Sequence, residues 1–244
     1  MKPVRTILRR ELASYFVTPI AYVVLVIFLF FINLLAFSFG QLYERGQADL
    51  QPFFTFVPWL YLFLIPAITM RLWAEERRNG TIELLLTQPV TLWQAVLAKF
   101  IAAWLFVGIA LALTFPVWIT VNYLGNPDNG TVLAAYLGSF FMAAAFLAVG
   151  SFTSTLTRNQ LIAFLICALL CFLLLMAGFP AVTEWFRSRW PQWFVDGISS
   201  LSLLTHFENI TKGVLDLRDV LYFALFTTFF LLASTVVLES RKSK

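Results

Sequence analysis

Residues Arg71–Val90 read RLWAEERRNGTIELLLTQPV. This charged, turn-broken stretch lies between two long apolar runs, Phe53–Met70 and Ala98–Tyr123. Arg71–Arg78 continues the first run as a helix beyond the membrane, with Arg71 and Glu75 four positions apart and able to pair. Asn79-Gly80 supplies left-handed residues that stop a helix. Thr81 can cap the next one, with Glu83 near its positive end. Ile82, Leu85 and Leu86 form one apolar stripe, and Pro89 terminates it. Thr91-Leu92-Trp93-Gln94 then matches the capping box that launches a further helix. The stretch therefore encodes helix, break, short amphipathic helix, break, helix. It has an apolar stripe to bury, charges to orient and rigid connections on both sides, which is the design a soluble partner can grip.

Working outward, the 244 residues are 60% hydrophobic and 17% aromatic, with mean hydropathy +0.83. Soluble domains hold roughly 45–50% apolar residues. The apolar residues fall in six blocks near the roughly 20 residues a span requires: Val17–Phe39, Phe53–Met70, Ala98–Tyr123, Val132–Leu156, Gln160–Phe179 and Val220–Leu238. The first block follows a basic segment but is longer than a signal-peptide core, with no clear cleavage site, and reads as a retained anchor. With the N-terminus inside, twelve of the 17 basic residues are cytoplasmic and eight of the 13 acids lie outside. The positive-inside rule thus puts both termini in the cytoplasm. The pI of 9.2 is a topology signal, and the absence of a basic folded domain argues against a nucleic-acid partner.

Pro3–Phe16 carries Val4, Ile7, Leu8, Leu12, Tyr15 and Phe16 at helical spacing, as an interfacial helix on the inner leaflet would. Pro19 ends or kinks it. Asn126-Pro127-Asp128-Asn129-Gly130 is a turn signal. Thr157-Arg158-Asn159 is a short inner turn, so Arg158 is a second candidate contact for the cytoplasmic partner. Phe179–Asp219 is the longest outer segment, and its tryptophans and prolines suggest short helices dipping into the outer leaflet. His206, the only histidine, reads as ordinary surface. Cys167 and Cys171 read as small core residues.

Chemistry in a membrane needs ionisable groups at depth. Lys99 stands at the inner edge of the third block and is counted with the cytoplasmic charges; deeper in, the blocks hold no Asp, Glu, Lys, Arg or His. That argues against a proton relay, a voltage sensor or an intramembrane metalloprotease, and no catalytic, cofactor-binding or metal-binding residue is expected. No phosphate-binding G-x-x-x-x-G-K-[ST] occurs, so ATP binding is expected on a separate chain.

The same residues resemble a family. Met70–Val90, with its acidic pair, Gly-Thr-apolar-Glu, Leu-Leu and Pro, resembles the loop of type-2 ABC (ABC-2) transporter permeases. Leu60–Pro66, Phe115–Trp118, Asn122–Gly125, Thr157–Gln160 and Gly213–Arg218 fit a narrower likeness to the permease of the gliding-motility ABC system. The resemblance implies an all-α membrane protein of the ABC-2 exporter fold in a bacterial inner membrane. Residues 1–16 would be a cytoplasmic interfacial helix and 17–244 one six-span domain. A coupling helix would lie between spans two and three, and re-entrant helices between spans five and six. It implies two ABC ATPase chains carrying ATP and magnesium, and a second permease, identical or related. By that likeness Glu75, Glu76, Arg77, Arg78, Gly80, Thr81, Glu83 and Pro89 belong to the ATPase-docking region. The expected function is a permease subunit, for export. The alternatives are a subunit transmitting force to a periplasmic companion, favoured by the lack of polar lining in the spans, and a membrane scaffold independent of any ATPase.

Overall fold

The computed structural model describes residues 2–42, 44–80 and 91–240, and every regular element among them is helical. Helix α1 (Lys2–Val17) is followed by α2 (Pro19–Leu34), which ends in a π-helical turn at Leu35–Phe39. Then come α3 (Gln51–Thr69), the short α4 (Ala74–Arg78), α5 (Leu92–Ala112), α6 (Phe115–Leu124) and α7 (Asn129–Leu156). The chain closes with α8 (Gln160–Met176), α9 (Pro180–Arg187), α10 (Gln192–Ser200), α11 (Leu203–Thr211) and α12 (Leu217–Ser240). Among the described residues five helical runs are long and apolar enough to cross a membrane, or six when α8 and α9, bent by 65°, count as one broken span.

Helix α7 is the hub. It is packed by α3, α5, α8, α11 and α12, and 72% of its most apolar stretch is enclosed, against 28% for the α2 span and 22% for α12. Its composition explains this. Ala134, Ala135, Gly138, Ser139, Ala143, Ala145, Ala148, Gly150 and Ser151 are small, and small residues let helices approach closely in a membrane. At Gly150 the approach is closest, since a β-carbon there would overlap the side chain of Thr69 on α3. The peripheral helices instead present large apolar side chains outward, as with Val23, Val26 and Phe30 on α2 and Leu225, Phe229 and Val236 on α12. These are lipid-facing surfaces.

Two spans are broken where the sequence reads as continuous. The third block divides at Leu113–Thr114, because Pro116 cannot donate to the preceding turn. Thr114 Oγ1 holds the break through Leu111 O at 2.6 Å and the Tyr136 hydroxyl at 2.9 Å. The second run leaves helical geometry at Met70–Trp73 before α4 resumes. The capping box expected at the start of α5 forms, and the turn read at Asn126–Gly130 also supplies an N-cap to α7. Thr91 and Gln94 bond reciprocally at 3.4 Å, and Asp128 accepts from Gly130 N and from Thr131 N and Oγ1. Those bonds hold the exposed Asp128 carboxyl below its ordinary range. The expected outer segment folds into α9, α10 and α11.

Candidate functional site

The break at Met70–Trp73 is made by a hydroxyl from another helix. Ser154, near the end of α7, accepts from the backbone N–H of Trp73 and of Ala74, both at 3.1 Å, and donates to Met70 O at 3.4 Å. Amides that would otherwise continue the α3 ladder are thus satisfied from α7, and the chain can turn into α4 without leaving them orphaned. The Trp73 indole is fully buried and donates to Ser151 Oγ at 3.2 Å. Arg77 reaches Thr155 O at 2.7 Å. So α4 is fastened along its length to the last turns of α7.

The second fastening is ionic. Lys99 on α5 is 4% exposed. Its Nζ lies 2.8 Å from Glu76 Oε1 on α4 and 3.4 Å from Glu11 Oε2 on α1, and 5.3 Å from the centre of the Trp73 ring. Glu11 sits within the inward stripe of α1, flanked by Ile7 and Tyr15, which explains why α1 lies along α5 rather than resting on lipid alone. Tyr15 stacks on Phe106 of α5 at 4.9 Å, and burial, with the Glu11 carboxylate adding to it, pushes its phenol up. A buried ammonium needs close counter-charges, and Lys99 has two.

These contacts sort the candidate site residues. Glu76 turns inward to Lys99, and Arg77 inward to α7. Glu75 lines a cavity between α1 and α3. The Arg71–Glu75 pair read from spacing does not form, because Arg71 lies within the broken turn and Glu75 on the helix beyond it. Arg78, Asn79 and Gly80 are exposed. Gly80 has φ +71° and so takes the left-handed conformation, whereas Asn79, at φ −84°, does not. Arg158 lies with Arg78 on the rim of one open depression at the start of α8, so the two expected contact regions form one basic surface. Thr81, Glu83, Pro89 and the stripe Ile82, Leu85 and Leu86 lie outside the described residues.

Several residues here were missed by the sequence reading. Lys99 was counted only as a topology marker. Glu11 breaks an apolar stripe and Lys99 interrupts an apolar block, and those two anomalies were the signal available. Ser151, Ser154 and Trp73 gave none. At the opposite end, His206 is not ordinary surface. Its Nε2 faces Ser200 O at 3.0 Å, its Nδ1 faces Asp219 Oδ1 at 2.5 Å, and its ring stacks on Tyr222 at 3.8 Å. Nε2 donates to the Ser200 carbonyl. These contacts join α10, α11 and α12.

Residues 41–238 match the family described as ABC-2 family transporter protein. The chain belongs to the ABC-2 transporter family. It is similar to the inner membrane transport permease YhhJ of Escherichia coli K12, at 29% identity over 58% of this chain and 36% of that protein. The probable multidrug ABC transporter permease YbhS of the same strain is 34% identical over 36% of the chain and 22% of its own length. The related YbhR is 23% identical over 58% and 37%. The matches thus span at most little more than a third of these relatives. Family and helices together make this ABC-2 chain a multi-pass membrane protein.

Proposed function

We propose that this chain is the permease subunit of an ABC-2 transporter, moved by a separate ABC ATPase that docks at its α1 end, on the cytoplasmic side of a bacterial inner membrane. The ATPase, present as two copies, supplies ATP and magnesium, and a second permease completes the assembly. The observation that carries this reading is the fastening of α4 to α7. Arg78, Gly80 and Arg158 offer an exposed basic surface to a partner, while Arg77 and Trp73 tie the same segment to α7, the most enclosed helix of the bundle, and Glu76 ties it to Lys99 of α5. A push on that surface is transmitted as a rigid-body movement rather than absorbed locally. Glu75, Thr81, Glu83 and Pro89 complete the coupling region. The exposed apolar faces and the multidrug relative favour export of an amphiphilic substrate. The resemblance to the gliding-motility permease supports a narrower assignment within the family. Force transmission to a periplasmic companion is the second reading, favoured by spans without polar lining.

The test is purification from native membranes with co-purifying chains identified. Wild type brings down an ABC ATPase. Arg78→Glu combined with Arg158→Glu, or Glu83→Lys, loses it while the permease still inserts. Retention of the ATPase, with normal transport, in all of these variants would overturn the docking assignment.

A further inference from the structure

At the α1 end a cavity of about 360 Å³ opens between α1, α2, α3 and α5. That falls within the range of roughly 300–1,000 Å³ of small-molecule sites. Its two halves differ in chemistry. One wall is apolar, built from Ile20, Ala21, Val24, Ile68, Leu72 and Phe106. Ile20 belongs also to the exposed apolar face of α2, where Val23 and Val26 point outward. The slot is therefore continuous with the surface that hydrocarbon covers.

The other half holds five charges: Glu11, Glu75, Glu76, Arg71 and Lys99. Three of them satisfy one another, since Lys99 takes both Glu76 and Glu11. The remaining two do not. Arg71 and Glu75 form no ion pair with each other or with any described residue, and Arg71 Nε is buried without a hydrogen-bond partner. A partly buried guanidinium and a carboxylate in one cavity, both unpaired, call for a ligand carrying both complementary charges. A guanidinium is matched by the oxygens of a phosphate, and a carboxylate by an ammonium with N–H to donate.

We propose that this cavity binds the headgroup of a zwitterionic phospholipid with a primary ammonium, phosphatidylethanolamine in chemical class, drawn from the leaflet on the α1 side. Arg71 takes the phosphate, Glu75 takes the ammonium, and an acyl chain runs along Ile20 and Val24 to the lipid-facing side of α2. Three carboxylates against two cations leave the site net negative, which disfavours a lipid of net negative charge such as phosphatidylglycerol. A trimethylammonium headgroup lacks the N–H that Glu75 requires. The lipid would wedge α1 and α2 against α3 beside the α4 fastening. This site stands on the cavity alone and does not rest on the docking of an ATPase.

The experiment uses the full chain, purified without other subunits and exchanged into nanodiscs of equal parts phosphatidylethanolamine, phosphatidylglycerol and phosphatidylcholine. Lipids retained after gentle release are counted by native mass spectrometry. Wild type retains phosphatidylethanolamine over each of the others by roughly tenfold, the worth of one charge-assisted hydrogen bond. The isosteric Glu75→Gln brings that ratio close to one while phospholipid still binds. Arg71→Gln loses retained phospholipid altogether, and Arg71→Lys keeps part of it. Equal retention of the three lipids by wild type, a preference for phosphatidylglycerol, or an unchanged ratio in Glu75→Gln would overturn the proposal. Glycerophosphoethanolamine, which has the headgroup without chains, should fail to displace the lipid. Displacement at matched concentration would make this a site for a soluble phosphate compound and overturn the lipid assignment.

Discussion

The two ends of α7 are held in different ways. At the α1 end its hydroxyls and carbonyls bond residues 78 to 84 positions away, through Ser151, Ser154 and Thr155, and the groups involved are buried or nearly so. At the far end the polar bonds are more local, and those of Asp128 and the two asparagines are exposed. Asp128 caps its own helix, Asn122 and Asn129 exchange amide bonds across seven residues, and His206 reaches Asp219 across thirteen. One end is stitched between distant parts of the chain, while the other is a set of neighbours in sequence. Buried polar bonds lose most when broken, because the orphaned partner cannot turn to water. The α1 end is thus suited to pass a displacement on without yielding, and the far end to rearrange at low cost.

The contrast is broken most forcefully at Lys99. Lys99→Met leaves Glu11 and Glu76 facing each other without their shared cation. Removing one member of a buried ionic group costs about 3–5 kcal/mol, and the partial wetting of both carboxylates places the expected loss toward the lower figure. Denaturant unfolding in detergent measures it, and adding Glu11→Gln and Glu76→Gln should recover part of it. A loss below what His206→Ala produces would reverse the ranking of the two ends.

A second comparison uses two glycines of the same helix. Gly150→Ala puts a methyl within 2.2 Å of Thr69 Oγ1, on a helix already held by Ser154. Gly138→Ala meets Ile210 Cγ2 at 2.8 Å, on the shorter α11. Overpacking costs roughly 1–3 kcal/mol, with Gly150 expected at the upper end and Gly138 at the lower. Paired thermal unfolding curves decide the order. Next, His206→Ala removes two hydrogen bonds and a ring stack and leaves the buried Asp219 carboxylate without its partner, a loss of about 1–3 kcal/mol. Hydrogen exchange should rise over α10 and α11 and stay unchanged over α4.

The smallest effect is a pH response at the far end. The Asp128 carboxyl is held below its ordinary value by its bonds to Thr131 and Gly130. A depressed carboxyl adds stability that is fully present above its unfolded pKa and is lost as pH falls through the lower folded value. Acidification below about pH 4 should therefore fray the first turn of α7 in wild type. Asp128→Asn, which caps without titrating, should not show this change in exchange at Gly130 and Thr131.

How much of this was legible in the sequence follows from what each signal depends on. The spans were legible because hydrocarbon sets their length and composition block by block. The cap at Thr91 was legible because donor and acceptor lie within three residues of each other, whereas Asp128, whose bonds are equally local, was read only as part of a turn. The break at Met70–Trp73 was not, since it depends on Ser154, and a serine in an apolar helix says nothing of which amide it will meet 81 residues upstream. The Arg71–Glu75 pairing failed for the same reason, as spacing predicts a contact only while the helix continues. Glu11 and Lys99 were visible as anomalies but could be joined only once α1 was known to lie on α5. Of the site, the exposed residues Arg78, Gly80 and Arg158 followed from turn chemistry and charge placement, while the anchors behind them came from packing.

The Lys99 cluster also bears on how the chain is made. A lysine near the middle of a span costs about 2.5–3.5 kcal/mol during insertion, less toward its end. Glu11 and Glu76 both precede Lys99 in the sequence. A ribosome delivering the third span therefore presents its ammonium to a translocon beside which both carboxylates have already been synthesised. The N-terminal helix then acts as an internal escort for Lys99. Chains lacking residues 1–11 should be delayed at the third span and become prey for membrane quality-control proteases.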